Sequence, residues 1–250
     1  MSSKVKYMAF GDIHGCFKAA ESAVAVAGQC RARAVFLGDY VDYKNNGKEA
    51  ISENLVPQYS CMQVLKTLIS AKESNPDWVF LRGNHDQMLL DLINGKEHPQ
   101  GYDSRTREQA YADWLISPGD FQSQVVNFLQ NTHLYFETSQ FIFVHAPLRD
   151  TQQDINEKIQ EELIWNYDFD PAWKGKRFIH GHRLTEEVSY NQKGININTE
   201  CGYGGFLTGL LLSDKTAKIL ECFKIAENGI VISISLMTAD KYTDFRTKKN

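Results

Sequence analysis

The sequence predicts an α/β fold in which two β-sheets pack as a sandwich flanked by helices, with a helical cap inserted along the way. Three observations carry this expectation. Short apolar runs alternate with amphipathic stretches through the first half, the order of strands joined by helical crossovers. Residues from about 87 to 133 are polar and helical in pattern, with no compact core of their own. From residue 141 onward the chain turns strand-rich, with Gly and Asn turns between several of the runs.

Taken in order, "VKYMAF" (5–10), "AVFL" (34–37) and "WVFL" (78–81) are short apolar runs that end at Gly-containing loops, so each reads as a buried strand. Between them, "FKAAESAVAVAGQ" and "SCMQVLKTLISAKES" place apolar residues at helical spacing. This β-α-β-α-β order favours parallel strands. The helical stretch that follows is broken by "NGKEHPQGYDS" and "SPGD". Then "FIFV" (141–144), "RFIH", "ININ", "LTGLLL", "KILECF" and "IVISISL" read as strands, several of them separated as antiparallel hairpins require. Residues 1–240 are expected to form one domain, with 241–250 a polar tail.

With 42% hydrophobic residues, 250 positions are enough for a single large core. A net charge of −4 argues against general attraction to nucleic acid or anionic membranes. The N-terminal "MSSKVKYMAFGDIHG" carries no apolar run long enough for a signal peptide or membrane anchor. Five widely spaced cysteines without a C-x-x-C pair fit reduced thiols better than a zinc knuckle or disulfide framework. The expected location is the cytoplasm.

The chemistry is written at the strand ends. "GDIHG" (11–15), "GDYVD" (38–42) and "RGNHD" (82–86) follow the first three strands, and "VHA" (144–146) and "HGH" (180–182) follow two later ones. Ligands gather at the carboxyl ends of strands in α/β sheets, so five loops can converge. Five of the seven histidines fall in them. Asp12 and His14 alternate and can face one ion. Asp39 could bridge two ions with its two oxygens, and Asn84, His145 and His182 would complete the second. Carboxylate, imidazole and amide ligands together suit Mn, Fe or Zn. Two such ions about 3.5–4 Å apart can clamp the oxygens of an in-line displacement at phosphorus. One Gly-Asp or His-Gly pair alone is an ordinary turn. All five in order, each after an apolar strand, are not explained as turns.

In this order the motifs resemble the calcineurin-like metallophosphoesterases, and within them the bacterial phosphoprotein phosphatase branch of serine/threonine phosphatases and diadenosine tetraphosphatases. The likeness runs from residue 11 to about 208, where "INTECGYGGFLTGL" is similar to the late motif of those enzymes. It implies a hydrolase in which a metal-bridging hydroxide attacks phosphorus. It assigns Asp12, His14 and Asp39 to one metal and Asp39, Asn84, His145 and His182 to the other. Mn is the ion expected first, with Fe, Zn or Mg as alternatives. His85 would protonate the leaving oxygen, and Asp42 would orient its imidazole. Asp86 stands where the family usually has Glu, and Asn198 replaces a usual Asp. His180 is expected to be structural, and His98 and His133 to be surface or packing residues.

Two departures bear on substrate. The family's phosphate-binding arginines fall at Tyr43 and, by the "LIWNYD" segment, at Tyr167. Tyrosine can donate a hydrogen bond but lacks the charge and fork of a guanidinium. Three explanations stand. Lys44, Arg149 or Arg183 could supply the cation. The substrate could be a diester or dinucleoside polyphosphate, with Tyr43 and Tyr167 against a ring. Or the protein could be a metal-binding regulatory module with little catalysis. A phosphorylated substrate (phosphoprotein, nucleotide or small phosphoester) is the expected partner, a serine/threonine-phosphatase-like phosphomonoester first.

Overall fold

The computed structural model describes residues 6–43, 60–96, 104–149, 155, 158–168, 173, 175–191 and 193–234. Lys44, His98 and the tail 241–250 lie outside them.

The first sheet has the order β11-β10-β9-β1-β2-β3, built from β1 (Lys6–Phe10), β2 (Arg33–Phe36), β3 (Val79–Phe80), β9 (Phe206–Ser213), β10 (Lys218–Ala226) and β11 (Val231–Ile234). The second has the order β4-β5-β6-β8-β7, from β4 (Tyr135–Glu137), β5 (Phe141–Val144), β6 (Arg177–His180), β7 (Ser189–Asn191) and β8 (Gly194–Asn196). Alternation along each strand explains the layering. Tyr7, Ala9, Val35, Leu37 and Leu210 on one face of the first sheet meet Phe141, Phe143, Ile179 and Ile195 of the second. Met8, Phe10, Ala34 and Phe36 turn the other way, onto helices α1 (Phe17–Cys30) and α2 (Cys61–Ser74). The outer face of the second sheet packs Ile142, Val144 and Phe178 on Leu163 and Ile164 of α7 (Gln160–Trp165). The result is a sandwich between helical layers.

α1 lies close to the sheet because its buried face is built from Ala19, Ala20, Ala23, Val26 and Ala27. α2 begins at Ser60, whose hydroxyl accepts from the Gln63 N–H and so satisfies one orphan donor. The helical segment between the sheets comprises α3 (Asn84–Ile93), α4 (Ser104–Thr106), a π-helical turn (Arg107–Tyr111), α5 (Ala112–Leu115) and α6 (Gly119–Gln130). Leu89, Ala110, Val125, Phe128 and Leu129 from this segment join the same core as α1 and α2.

β1, β2 and β3 pair in parallel, as the crossover order requires. The hairpin expectation holds for β9-β10-β11 and for β7-β8. It does not hold for β5, β6 and β8, which run parallel to one another. β5 reaches β6 by way of α7, and β6 reaches β8 by way of the edge strand β7, so neither connection is a two-residue hairpin. The consequence is functional: the carboxyl ends of three parallel strands in each sheet face the same rim. Among the described residues no helix is long and apolar enough to cross a membrane.

Candidate metal and phosphoryl-transfer site

The loops that leave β1, β2, β3, β5 and β6 are tied directly to one another. The Ile13 and His14 amides donate to the Asp39 carbonyl at 3.0 and 2.9 Å, and the Gly181 amide donates to the His145 carbonyl at 2.9 Å. The His182 amide donates to both oxygens of Asp12, at 3.2 and 3.1 Å. Such close approach excludes side chains. Gly38 has φ +105° and abuts Gly83, and a Cβ at Gly181 would overlap the Asp12 carboxylate. His14, Asp39, Asp42 and His182 themselves occupy left-handed backbone, at φ 45°, 51°, 68° and 63°. That conformation is unfavourable for non-glycine residues and persists where surrounding structure over-determines it.

Two sets of ligand-capable side chains come together, one of which takes in His85 and neither of which takes in Asp12. Ligand-capable atoms of His14, Asp39 and His85 lie within 4.8 Å of one another, as do those of Asp39, His145 and His182. Asp39 belongs to both groups. Its Oδ2 faces His14 Nε2 at 3.7 Å and His145 Nε2 at 3.5 Å, while its Oδ1 accepts from the His85 amide at 2.9 Å. Asp39 Oδ2 thus lies between the His14 and His145 imidazoles, where the carboxylate could serve both positions. Asp12 Oδ2 lies 3.8 Å from His14 Nε2. Asn84 Oδ1 faces His145 Nε2 at 3.0 Å and His182 Nδ1 at 2.9 Å.

These contacts fit a cation. His14 Nδ1 faces the Val41 and Asp42 carbonyls, and His145 Nδ1 faces that of Leu37, so those nitrogens carry hydrogen. Their Nε2 atoms are then bare lone pairs aimed at carboxylate and amide oxygens. Acceptor faces acceptor with no proton between, as a divalent ion would require. Among the described residues, His182 Nε2 is buried without a hydrogen-bond partner. Burial lowers the His14 pKa to about 4 and, with His145, that of His182 to about 3, so both rings are neutral and able to ligate. Burial, then repulsion from Asp39, raises Asp12 well above the usual carboxylate range, and a cation between them would relieve this. For Asp39, burial alone would raise the pKa, but His145, His85 and His14 outweigh it and hold the carboxyl low.

His85 stands beside this cluster. Its Nδ1 donates to Asp42 Oδ2 at 2.8 Å, leaving Nε2 for proton transfer. Thr106 Oγ donates to the same carboxylate oxygen. Burial pulls the His85 pKa down, but Asp39 and Asp42 overcome it and hold the group above its ordinary value.

Several supporting contacts are not legible in the sequence. Asp86 is buried and accepts from the Asp39, Tyr40 and Gly83 amides at 2.8, 2.9 and 2.9 Å, clamping two ligand loops together. Asn198 Nδ2 donates to Asp12 Oδ2 at 2.6 Å, a contact that an ionised Asp could not make. Arg105 and Thr106 lie in a polar helical stretch without a motif, and nothing in their spacing marks them. His180 is buried and outside both ligand groups, and His133 is exposed. Of the expected substrate contacts, the Tyr43 ring packs on Gly15 and the helical core, and its backbone exchanges two 2.9 Å hydrogen bonds with Gln109. Tyr167 is 57% exposed, with its ring 5.1 Å from that of His182. Arg149 and Arg183 are exposed.

Known proteins resemble this chain along most of its length. Residues 5–216 match the calcineurin-like phosphoesterase family. The bis(5'-nucleosyl)-tetraphosphatase PrpE (asymmetrical) of Anoxybacillus flavithermus is 26% identical over 227 residues, covering 82% of this chain and 89% of that protein. A solved protein provisionally assigned as a diadenosine tetraphosphatase superposes with TM-score 0.59 at 17% identity, over 93% of this chain and 94% of its own. A Saccharomyces cerevisiae serine/threonine phosphatase similar to human PP5 superposes with TM-score 0.56 at 13% identity, over 94% of this chain and 81% of its own. Those two likenesses establish the shared fold. The chain belongs to the calcineurin-like phosphoesterase family and is a hydrolase of phosphoester bonds.

Proposed function

We propose that the protein cleaves nucleotide-type phosphate substrates, dinucleoside polyphosphates foremost, with His85 as the acid that protonates the departing oxygen. The observation that carries the substrate class is the exposed Tyr167 ring, set at 74° to His182 with Trp165 on the same imidazole at 6.5 Å. An exposed aromatic face beside a metal-ligand position is a shelf on which a base can stack. The relative named as a bis(5'-nucleosyl)-tetraphosphatase supports the same class.

Two divalent ions, Mn first, held by Asp12, His14, Asp39, Asn84, His145 and His182 would supply an acidified water and neutralise charge at phosphorus. The chain's own residues do the rest. Asp42 fixes the His85 tautomer and favours its protonated form, so Nε2 can pass a proton to the leaving group. Asp86 and Asn198 hold the ligand loops in register.

A serine/threonine-phosphatase-like phosphomonoesterase is the second reading, favoured by the close His85–Asp42 pair. A serine or threonine alkoxide needs a proton as it leaves far more than a nucleotide phosphate does. Incubating the Mn-loaded protein with diadenosine tetraphosphate, an aryl phosphomonoester and an aryl phosphodiester separates the readings. Release of ATP and AMP, or of two ADP, with slow turnover of the aryl monoester is expected. Rapid monoester turnover with an intact dinucleotide would sink the first reading and uphold the second.

A further inference from the structure

We propose that Arg105 supplies the cationic clamp for the attacked phosphoryl group that the chain lacks at Tyr43 and Tyr167. The proposal rests on the phosphoesterase reading above and names the residue that would hold the non-bridging oxygens.

The placement comes from two anchors. Arg105 Nη1 donates to the Tyr203 hydroxyl at 2.8 Å, with the guanidinium 5.7 Å from the centre of that ring. The Tyr203 ring stands edge-on to His14, with centroids 5.1 Å apart, and His14 in turn stands 5.2 Å from His85. On the other side, the next residue, Thr106, is bonded to Asp42. Arg105 is thus suspended between a ring that touches a metal-ligand position and a residue that touches the acid's partner.

Tyr203 is itself held firmly. Glu227 accepts from the Gly202 and Gly204 amides at 3.0 and 2.9 Å, and Gly202 abuts the His14 Cβ. The anchor is therefore built before substrate arrives, which is what gives a donor its value in a transition state.

The guanidinium also has capacity to spare. It carries five N–H donors, of which one is used on Tyr203 among the described residues. Among the described residues no carboxylate pairs with it. By contrast, Arg82 spends its donors on Thr132, Gln87 and Leu129. A half-buried, forked cation on the ring that packs against His14, with donors uncommitted among the described residues, matches phosphate oxygens in charge and geometry.

The test uses the full chain loaded with Mn. Binding of inorganic phosphate is measured by calorimetry, and turnover is measured on whichever phosphoester the wild type cleaves. Arg105→Gln is expected to weaken phosphate at least tenfold and to lower kcat/KM by about 10²-fold, with metal content and Tm unchanged. Arg105→Lys, which keeps charge without the fork, should recover part of both losses. Tyr203→Phe should weaken phosphate by a smaller factor, because it frees the guanidinium without removing it. Phosphate bound as tightly by Arg105→Gln as by wild type overturns the clamp, and so does an equal loss in both Arg105 variants that tracks a lowered Tm. A wild-type protein with both ions in place that neither binds phosphate nor cleaves any phosphoester would instead remove the hydrolase reading itself, and the clamp with it.

Discussion

On the floor of the site, Asp12, His14, Asp39, Asn84 and His145 are each at most 4% exposed, whereas at the rim Tyr167 is 57% exposed. The floor residues sit on loops cross-tied by backbone hydrogen bonds, three of the ligands in left-handed conformation. Tyr167, whose ring meets His182, is exposed, as are Arg149 and Arg183 in the loops that follow His145 and His182. The difference separates two jobs. A buried cluster of carboxylates and bare imidazole nitrogens is unfavourable without a cation, so the floor is built around metal binding and tolerates little. On the proposed function, the rim would adjust which phosphate ester is admitted.

The largest expected effect is therefore at the residue shared by both ligand groups. Asp39→Asn should lose metal from both positions and drop turnover by about 10³-fold or more, read by metal analysis after dialysis. Two ions retained in that variant would refute the bridge. His85→Asn comes next. It should remove turnover by about 10²–10⁴-fold while leaving metal content nearly intact. A parallel loss of metal would make His85 a ligand and strip it of its acid role.

Asp42 sharpens the same boundary through pH. Because the His85 pKa is raised, its acid form persists above the range of an ordinary imidazole, and activity should fall as pH rises through the raised value. Asp42→Asn removes one of the two carboxylates that raise it. The alkaline limb should then move to lower pH, by about one unit and so about tenfold in rate on that limb. An unmoved limb would mean that Asp42 only packs.

The contrast also explains what could be read from the sequence. The convergence of the five motif loops was legible because each motif sits where an apolar run ends, at the carboxyl end of a strand in a parallel pair. "GDIHG", "GDYVD" and "RGNHD" carry their own glycines, which the close loop approach requires. The parallel run of β5, β6 and β8 was not legible, since a Gly or Asn between apolar runs looks the same in a hairpin and in a crossover. Asp86 was visible only as a conservative exchange; its three amide contacts depend on where Asp39 and Tyr40 arrive in space. Arg105 and Tyr203 are 98 residues apart, and no local pattern announces a pair formed by tertiary packing.

The smallest effect is expected at the rim, and it decides what the rim is for. Tyr167→Ala removes an exposed ring that contributes little to folding, so Tm and metal content should hold. If the ring stacks on a base, KM for diadenosine tetraphosphate should rise by about tenfold, in keeping with ~1–3 kcal/mol for a base on an aromatic side chain. The same variant should handle inorganic phosphate like wild type, because that ligand has no ring to stack. Equal weakening of both ligands would place Tyr167 against the phosphate and transfer it from the rim to the floor. No change in either would leave the aromatic shelf without a substrate role, and selection among phosphate esters would then fall to Arg105 and the exposed cations Arg149 and Arg183.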